Sequence, residues 1–162
     1  MRNPVLDVGM MQKGGNLMNT MRYGGPVEVV TVGLGPGEML LESIREVVNQ
    51  QKIENGVVIS GIGTLKSCQL HSVTHSDFPP NVKFFTIKKP LELSSISGII
   101  ADGEPHLHVV VSYIDEMAYS GHLENGSEVL YLAEVAILVF NDFEMSRHID
   151  KERNVNLLGL KE

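Results

Sequence analysis

Only one stretch of this 162-residue chain repeats its apolar residues at a helical period. Between residues 39 and 50, Leu40, Leu41, Ile44, Val47 and Val48 make one stripe. Glu42, Arg45, Glu46 and Asn49 fall on the other side, which predicts an amphipathic helix. Glu38 sets a negative charge at its start, where the helix dipole favours one. Nearly everything else reads as strand: 27–32, 57–62, 64–72, 82–88, 91–100, two short pieces around 106–113 and 117–123, and 129–140. The last is the longest apolar run, and its β-branched and aromatic content prefers a strand. Short turns and a single helix predict an α+β fold, a mostly antiparallel β-sheet with one main α-helix. One helix cannot cover both faces of such a sheet. An apolar face is left over, and a homo-oligomer is the expectation.

Composition narrows the class. Hydrophobic residues make up 43% and charged residues 20%, as in an ordinary globular domain. No apolar run approaches the roughly 20 residues of a membrane helix, and residues 1–19 lack the apolar core of a signal peptide. A cytoplasmic location is the default expectation. The single cysteine, Cys68, excludes an intrachain disulfide and a cysteine-based zinc finger. The net charge of −7 argues against a chain whose main task is gripping phosphates. The densest basic run, Lys83 to Lys89, reads as a solvated strand edge. Three parts are expected: a flexible N-terminal arm over 1–25, a domain over 26–142, and a C-terminal tail over 143–162. In that tail Val155, Leu157 and Leu158 are able to dock.

Half of the six histidines, His106, His108 and His122, lie close together in the chain. Imidazole is the side chain most used to hold a transition metal near neutral pH. In a strand, His106 and His108 point the same way, about 6.5–7 Å apart along the chain. A three-residue loop over 114–116 would pair Tyr113 with Met117 and set His108 directly opposite His122. Opposed residues share a face, with Cβ atoms about 4.5–5.5 Å apart. A slip of two residues would put His106 opposite His122 and keep all three on one side, whereas a slip of one would send His122 to the other face.

Two acids stand out beside this trio. Glu104 lies two residues before His106, although Pro105 can bend the chain there. Glu134 interrupts an apolar strand, where an unpaired carboxylate is costly. It is expected to face a metal-bound histidine, a substrate, a neighbouring subunit, or solvent at a sheet edge. Cys68 and His71 are three apart on a strand and face opposite sides, so they make no catalytic pair. His71 and His75 read as solvent-facing turn histidines. Gly61 and Gly63 mark a tight connection, and the extended residues after Thr64 do not suit a phosphate-cradling loop.

Several ordered motifs resemble the PPC (plant and prokaryote conserved) domain family. They are Leu34-Gly35-Pro36-Gly37-Glu38, the run from Asn55 to Leu65, the run from Pro90 to Gly98, Asp102-Gly103-Glu104-Pro105-His106-Leu107-His108, Gly121-His122-Leu123 and Ala133-Glu134-Val135. The resemblance implies a sheet-rich fold with one main helix, a homotrimer, and a bound divalent transition metal, zinc, at His106, His108 and His122. Plant members join the domain to AT-hooks and bind AT-rich DNA. This chain has no Arg-Gly-Arg-Pro core, and Gly33 stands where an arginine is common.

Two functional readings follow. In the first, the chain is a trimeric metal-binding module with a DNA-binding or regulatory role by resemblance. In the second, it is a metal-dependent enzyme, hydrolase-like, acting on a small molecule. Three histidine ligands leave a fourth position for water, as in catalytic zinc sites.

Overall fold

The computed structural model describes residues 7–13, 16–114 and 117–161. In chain order the elements are β1 (Asp7–Lys13), β2 (Asn16–Arg22), β3 (Val27–Leu34), α1 (Leu40–Gln50), β4 (Asn55–Val73), β5 (Val82–Ile87), β6 (Leu91–Ala101), β7 (Glu104–Ser112), β8 (Ala118–Leu123), β9 (Glu128–Phe140), β10 (Met145–Asp150) and β11 (Val155–Leu160). The main sheet has seven strands in the order β3-β9-β4-β6-β7-β8, with β5 beside β4. Every pairing within it is antiparallel. The helix forms where its period predicts, and Leu40, Leu41, Ile44 and Val48 are its buried stripe. Its first turn is tied to the turn before β9, because Leu40 N donates to Ser127 O at 2.8 Å.

The expected strands 57–62 and 64–72 are one continuous strand, β4, of 19 residues. Its first half pairs with β6 and β9, and its second half with β5 and β8. Because β8 also pairs with β7, the pairings β4–β6–β7–β8–β4 close on themselves. Leu65, Leu70, Leu93, Ile96, Leu107, Val109 and Leu123 are buried in the core these strands share with α1. Burial of such apolar surface, worth about 25 cal/mol per Å², is the main force holding the elements together.

The opposite face of β3, β9 and β4 stays uncovered by the helix. Its cross-strand rows are Val29–Leu138–Val57, Thr31–Ala136–Ser60 and Gly33–Glu134–Ile62. Val29 is 63% exposed and Ile62 53%.

The segments expected as arm and tail each contain a two-stranded hairpin. β1 pairs with β2, and β10 pairs with β11. The second hairpin is held by contacts far away in the chain. Asn55 Oδ1 accepts from Met145 N at 2.8 Å, and Phe143 and Met145 are buried beside Ala101. Leu158 packs against the same cluster, while Leu157 is exposed. No local period announces such contacts.

Candidate metal centre

Strand alternation positions the first two imidazoles. On β7, Pro105, Leu107, Val109 and Val111 are buried, so His106 and His108 are turned to the exposed face. β8 returns antiparallel with His108 directly opposite His122, the register expected from the loop 114–116. Asp115 and Glu116 of that loop lie outside the described residues. Ring centroids are 5.5 Å apart for His106–His108, 4.7 Å for His106–His122 and 5.4 Å for His108–His122. Each residue offers a ring nitrogen within 4.8 Å of the other two.

Two glycines allow the strands to approach beneath these rings. A Cβ on Gly121 would stand 2.7 Å from His71 O, so only glycine lets β8 lie this close to β4. Gly98 plays the same part between β6 and β7.

The other edge of β8 brings in a histidine that sequence reasoning placed elsewhere. His71 is opposite His122 across β4 and β8. One cross-strand row therefore runs Ser97, His108, His122, His71, Phe84 over β6, β7, β8, β4 and β5. The His71 and His122 rings stack at 4.4 Å between centroids. His71 Nδ1–H donates to Glu124 Oε1 at 2.6 Å. The expectation of a solvent-facing turn histidine is thus corrected for His71, which is half-buried inside a strand; His75 does remain exposed. The β4–β8 pairing is the reason, and it is a tertiary contact. Glu124 was also missed, although it stands two residues after His122. His71, His122 and Glu124 form a second group whose ligand atoms lie within 4.8 Å of one another.

The two acids singled out from the sequence stand apart from the trio. The Glu104 carboxylate pairs with the Arg45 guanidinium of α1 at 2.7 Å. Glu134 is exposed in the outer row between Gly33 and Ile62. Cys68 is buried, on the other side of β4 from His71, and desolvation pushes its thiol up to about 11. It is a core side chain, not a nucleophile.

Electrostatics suit a metal ligand set. Burial, together with the neighbouring His106 and His71 rings, pushes His122 down to about 4. Burial and the Arg147 guanidinium lower His106 as well. Both rings are therefore neutral near pH 7, with a lone pair free to bind a cation. Zinc–imidazole bonds are about 2.0–2.1 Å, so nitrogens sharing an ion stand at most about 4.2 Å apart. The trio's nitrogens, within 4.8 Å of one another, stand close to that span. The histidine groups could hold a metal.

A pH prediction follows for the metal-free protein. His122 takes a proton in the unfolded chain near its ordinary value of 6.5, but in the fold only near 4. Its contribution to stability is thus complete above about pH 6.5 and is lost as pH falls through that window to about 4. Solvent screening at this part-exposed ring keeps the effect below the about 3 kcal/mol that the whole shift would give. Thermal denaturation from pH 7 to pH 4 should show a falling midpoint, and His122→Gln should flatten the fall. An equally steep fall in the variant would refute the assignment to His122.

Comparison with known proteins extends these findings. The family model of the Plants and Prokaryotes Conserved (PCC) domain matches residues 21–141. All three histidines of the trio lie in that span, as do His71 and Glu124. A curated relative, the bifunctional protein GlmU of Synechococcus sp. (strain JA-3-3Ab), is 25% identical over 126 residues, or 78% of this chain. The chain spans only 19% of that relative's length. A metal-containing protein from Archaeoglobus fulgidus has a similar structure, with a TM-score of 0.69 at 23% identity and 100% of each chain covered. A candidate DNA-binding protein from Bacteroides thetaiotaomicron superposes with a TM-score of 0.70 at 17% identity, covering 94% of this chain and 97% of the other. At such identities the two structures speak for the fold alone. The sheet with its single helix, the motif order and the matched span agree, and the chain belongs to the Plants and Prokaryotes Conserved (PCC) domain family.

Proposed function

We propose that this chain is a metal-binding PCC-domain protein that assembles as a homotrimer and holds a divalent transition ion, zinc, on His106, His108 and His122. The observation that carries the reading is the convergence of three ring nitrogens within 4.8 Å from two adjacent strands. The Archaeoglobus neighbour's description as metal-containing supports it. When bound, such an ion supplies a Lewis acid with room for a further ligand. His71, braced by Glu124, packs on His122 and fixes the plane of that ring. Elemental analysis of the purified protein should find about one ion per chain, the capacity of one tetrahedral site. His108→Ala should lose most of it. Unchanged stoichiometric metal in that variant would remove the reading.

The trimer is supported by the uncovered apolar face of β3, β9 and β4. Glu134, between Gly33 and Ile62 on that face, would then meet a neighbouring subunit. Ile62→Asp should dissociate the assembly in sedimentation experiments while leaving each chain folded. A wild-type protein that sediments as a monomer would end this part of the proposal. A cytoplasmic location completes the reading; among the described residues no helix is long and apolar enough to cross a membrane.

DNA binding is the second reading, and its support is the description of the Bacteroides neighbour. The net charge of −7 opposes it. Titration with duplex DNA at low salt decides the matter: absence of affinity there removes the nucleic-acid role. A small-molecule hydrolase remains the alternative use of the same ion, with Glu124 the nearest described carboxylate to His122, at 3.9 Å.

A further inference from the structure

Beside the histidine trio lies a pocket of about 410 Å³ that the metal reading does not use. Its walls come from two sources. His106 and His108 of β7 and Ser97 of β6 form one side, and Arg147, Asn156 and Leu158 of the β10–β11 hairpin form the other. The volume falls within the range of small-molecule sites, about 300–1,000 Å³. The hairpin lies beyond residues 21–141, so this wall is an addition to the part of the chain that the family model matches.

Arg147 is the feature that gives the pocket a chemistry. Its guanidinium is held in place by the backbone, with Nη1 donating to Glu104 O at 3.1 Å and Nη2 donating to Ile99 O at 2.9 Å. These bonds hold the guanidinium plane while leaving further N–H donors unused among the described residues. Both acceptors are neutral carbonyls. Among the described residues the guanidinium makes no ion pair with a carboxylate. Burial lowers Arg147, and the one carboxylate that offsets this, Glu104, is already bonded to Arg45 at 2.7 Å. The planar fork of arginine matches carboxylate and phosphate oxygens. A divalent ion on the neighbouring imidazoles would add positive charge on the same side. Ile99 and Leu158 supply apolar surface for the carbon body of a ligand.

Resting on the metal reading, we propose that this pocket binds a small molecule bearing an oxyanion, a carboxylate or a phosphate, with Arg147 fixing the anionic group beside the metal. Arg147 is then a specificity residue that the family match does not contain. The competing account is purely structural: Arg147 straps the hairpin to the sheet and binds nothing.

Cobalt(II) substitution makes the two distinguishable, because the visible spectrum of the ion reports changes at its ligands. The cobalt-loaded protein is titrated separately with inorganic phosphate and with acetate. A saturable spectral change with at least one anion is expected, and the effective anion names the head group. Arg147→Gln should still bind cobalt but need at least tenfold more anion. Asn156→Glu is the second variant. It changes an exposed position, leaves the Arg147–carbonyl bonds intact and offers the guanidinium an internal carboxylate, so it too should weaken the anion at least tenfold. Cobalt binding with no response to either anion would overturn the pocket and leave the metal reading standing. Equal anion affinity in the wild type and both variants would also overturn it. Failure to bind cobalt at all would sink the metal reading, and this inference with it.

Discussion

His122→Ala should strip the protein of metal more completely than any other single histidine substitution. His122 is the residue common to both donor groups, His106–His108–His122 and His71–His122–Glu124. Its ring sits at the centre of the cross-strand row, stacked on His71 and opposite His108. Removing it leaves His106 and His108 as a two-nitrogen pair on one strand, which is too few ligands for a tetrahedral ion. An affinity loss of about 100-fold or more is expected, at the upper end of what even supporting residues cost metal sites. His71→Ala is the informative partner. If the ion rests on the β7–β8 trio, this variant keeps stoichiometric metal with an affinity weakened about 10-fold, because only the support of His122 is lost. The pattern is read by elemental analysis after exhaustive dialysis. Full metal content in His122→Ala would show that no ion uses either group.

Gly98→Ala should damage stability and the site together. Gly98 is paired with Leu107, directly under the strand that carries His106 and His108. A Cβ there would stand 1.9 Å from His106 O and 2.9 Å from the carbon of the same carbonyl. Both are backbone atoms, so no side chain can swing aside to make room. The β6–β7 pair has to separate, and it does so beneath a metal ligand. Overpacking of this kind costs about 3 kcal/mol or more. For a chain of this size that lowers the thermal midpoint by on the order of 10 °C. Gly35→Ala is the control, since its Cβ would meet only Glu38 Oε2 at an ordinary 3.6 Å. Identical melting of the two variants would mean that β6 and β7 are not packed as described.

Particular residues show how far the chain could be read without coordinates. The helix was legible because Leu40, Leu41, Ile44 and Val48 repeat at its period, and all four are buried. The trio was legible because β7 alternates cleanly and a three-residue loop sets His108 opposite His122, the register that is observed. His71 was not legible. Its alternation on β4 says only that it does not share the side of Cys68. That β8 lies against the second half of β4 depends on a strand running past Gly63 without stopping. There the β4–β9 register shifts beyond Gly63, a glycine that reads locally as a break. Glu134 was legible as an anomaly, but its place on the uncovered face comes from the pairing of β9 with both β3 and β4. The C-terminal hairpin was missed because its anchors, Asn55 and Ala101, are remote in the chain.

By itself, then, the sequence determined the type of each local element, the direction in which its side chains alternate, and the pairing of neighbours across a short turn. These follow from backbone periodicity and turn length, which act over a few residues. Tertiary structure alone decided that β4 bends from one set of partners to another, that His71 and Glu124 join the trio, and that Arg147 closes a pocket beside it. Such choices are made by burial and backbone pairing between distant segments, where many arrangements satisfy the same local pattern and only the packed whole distinguishes them.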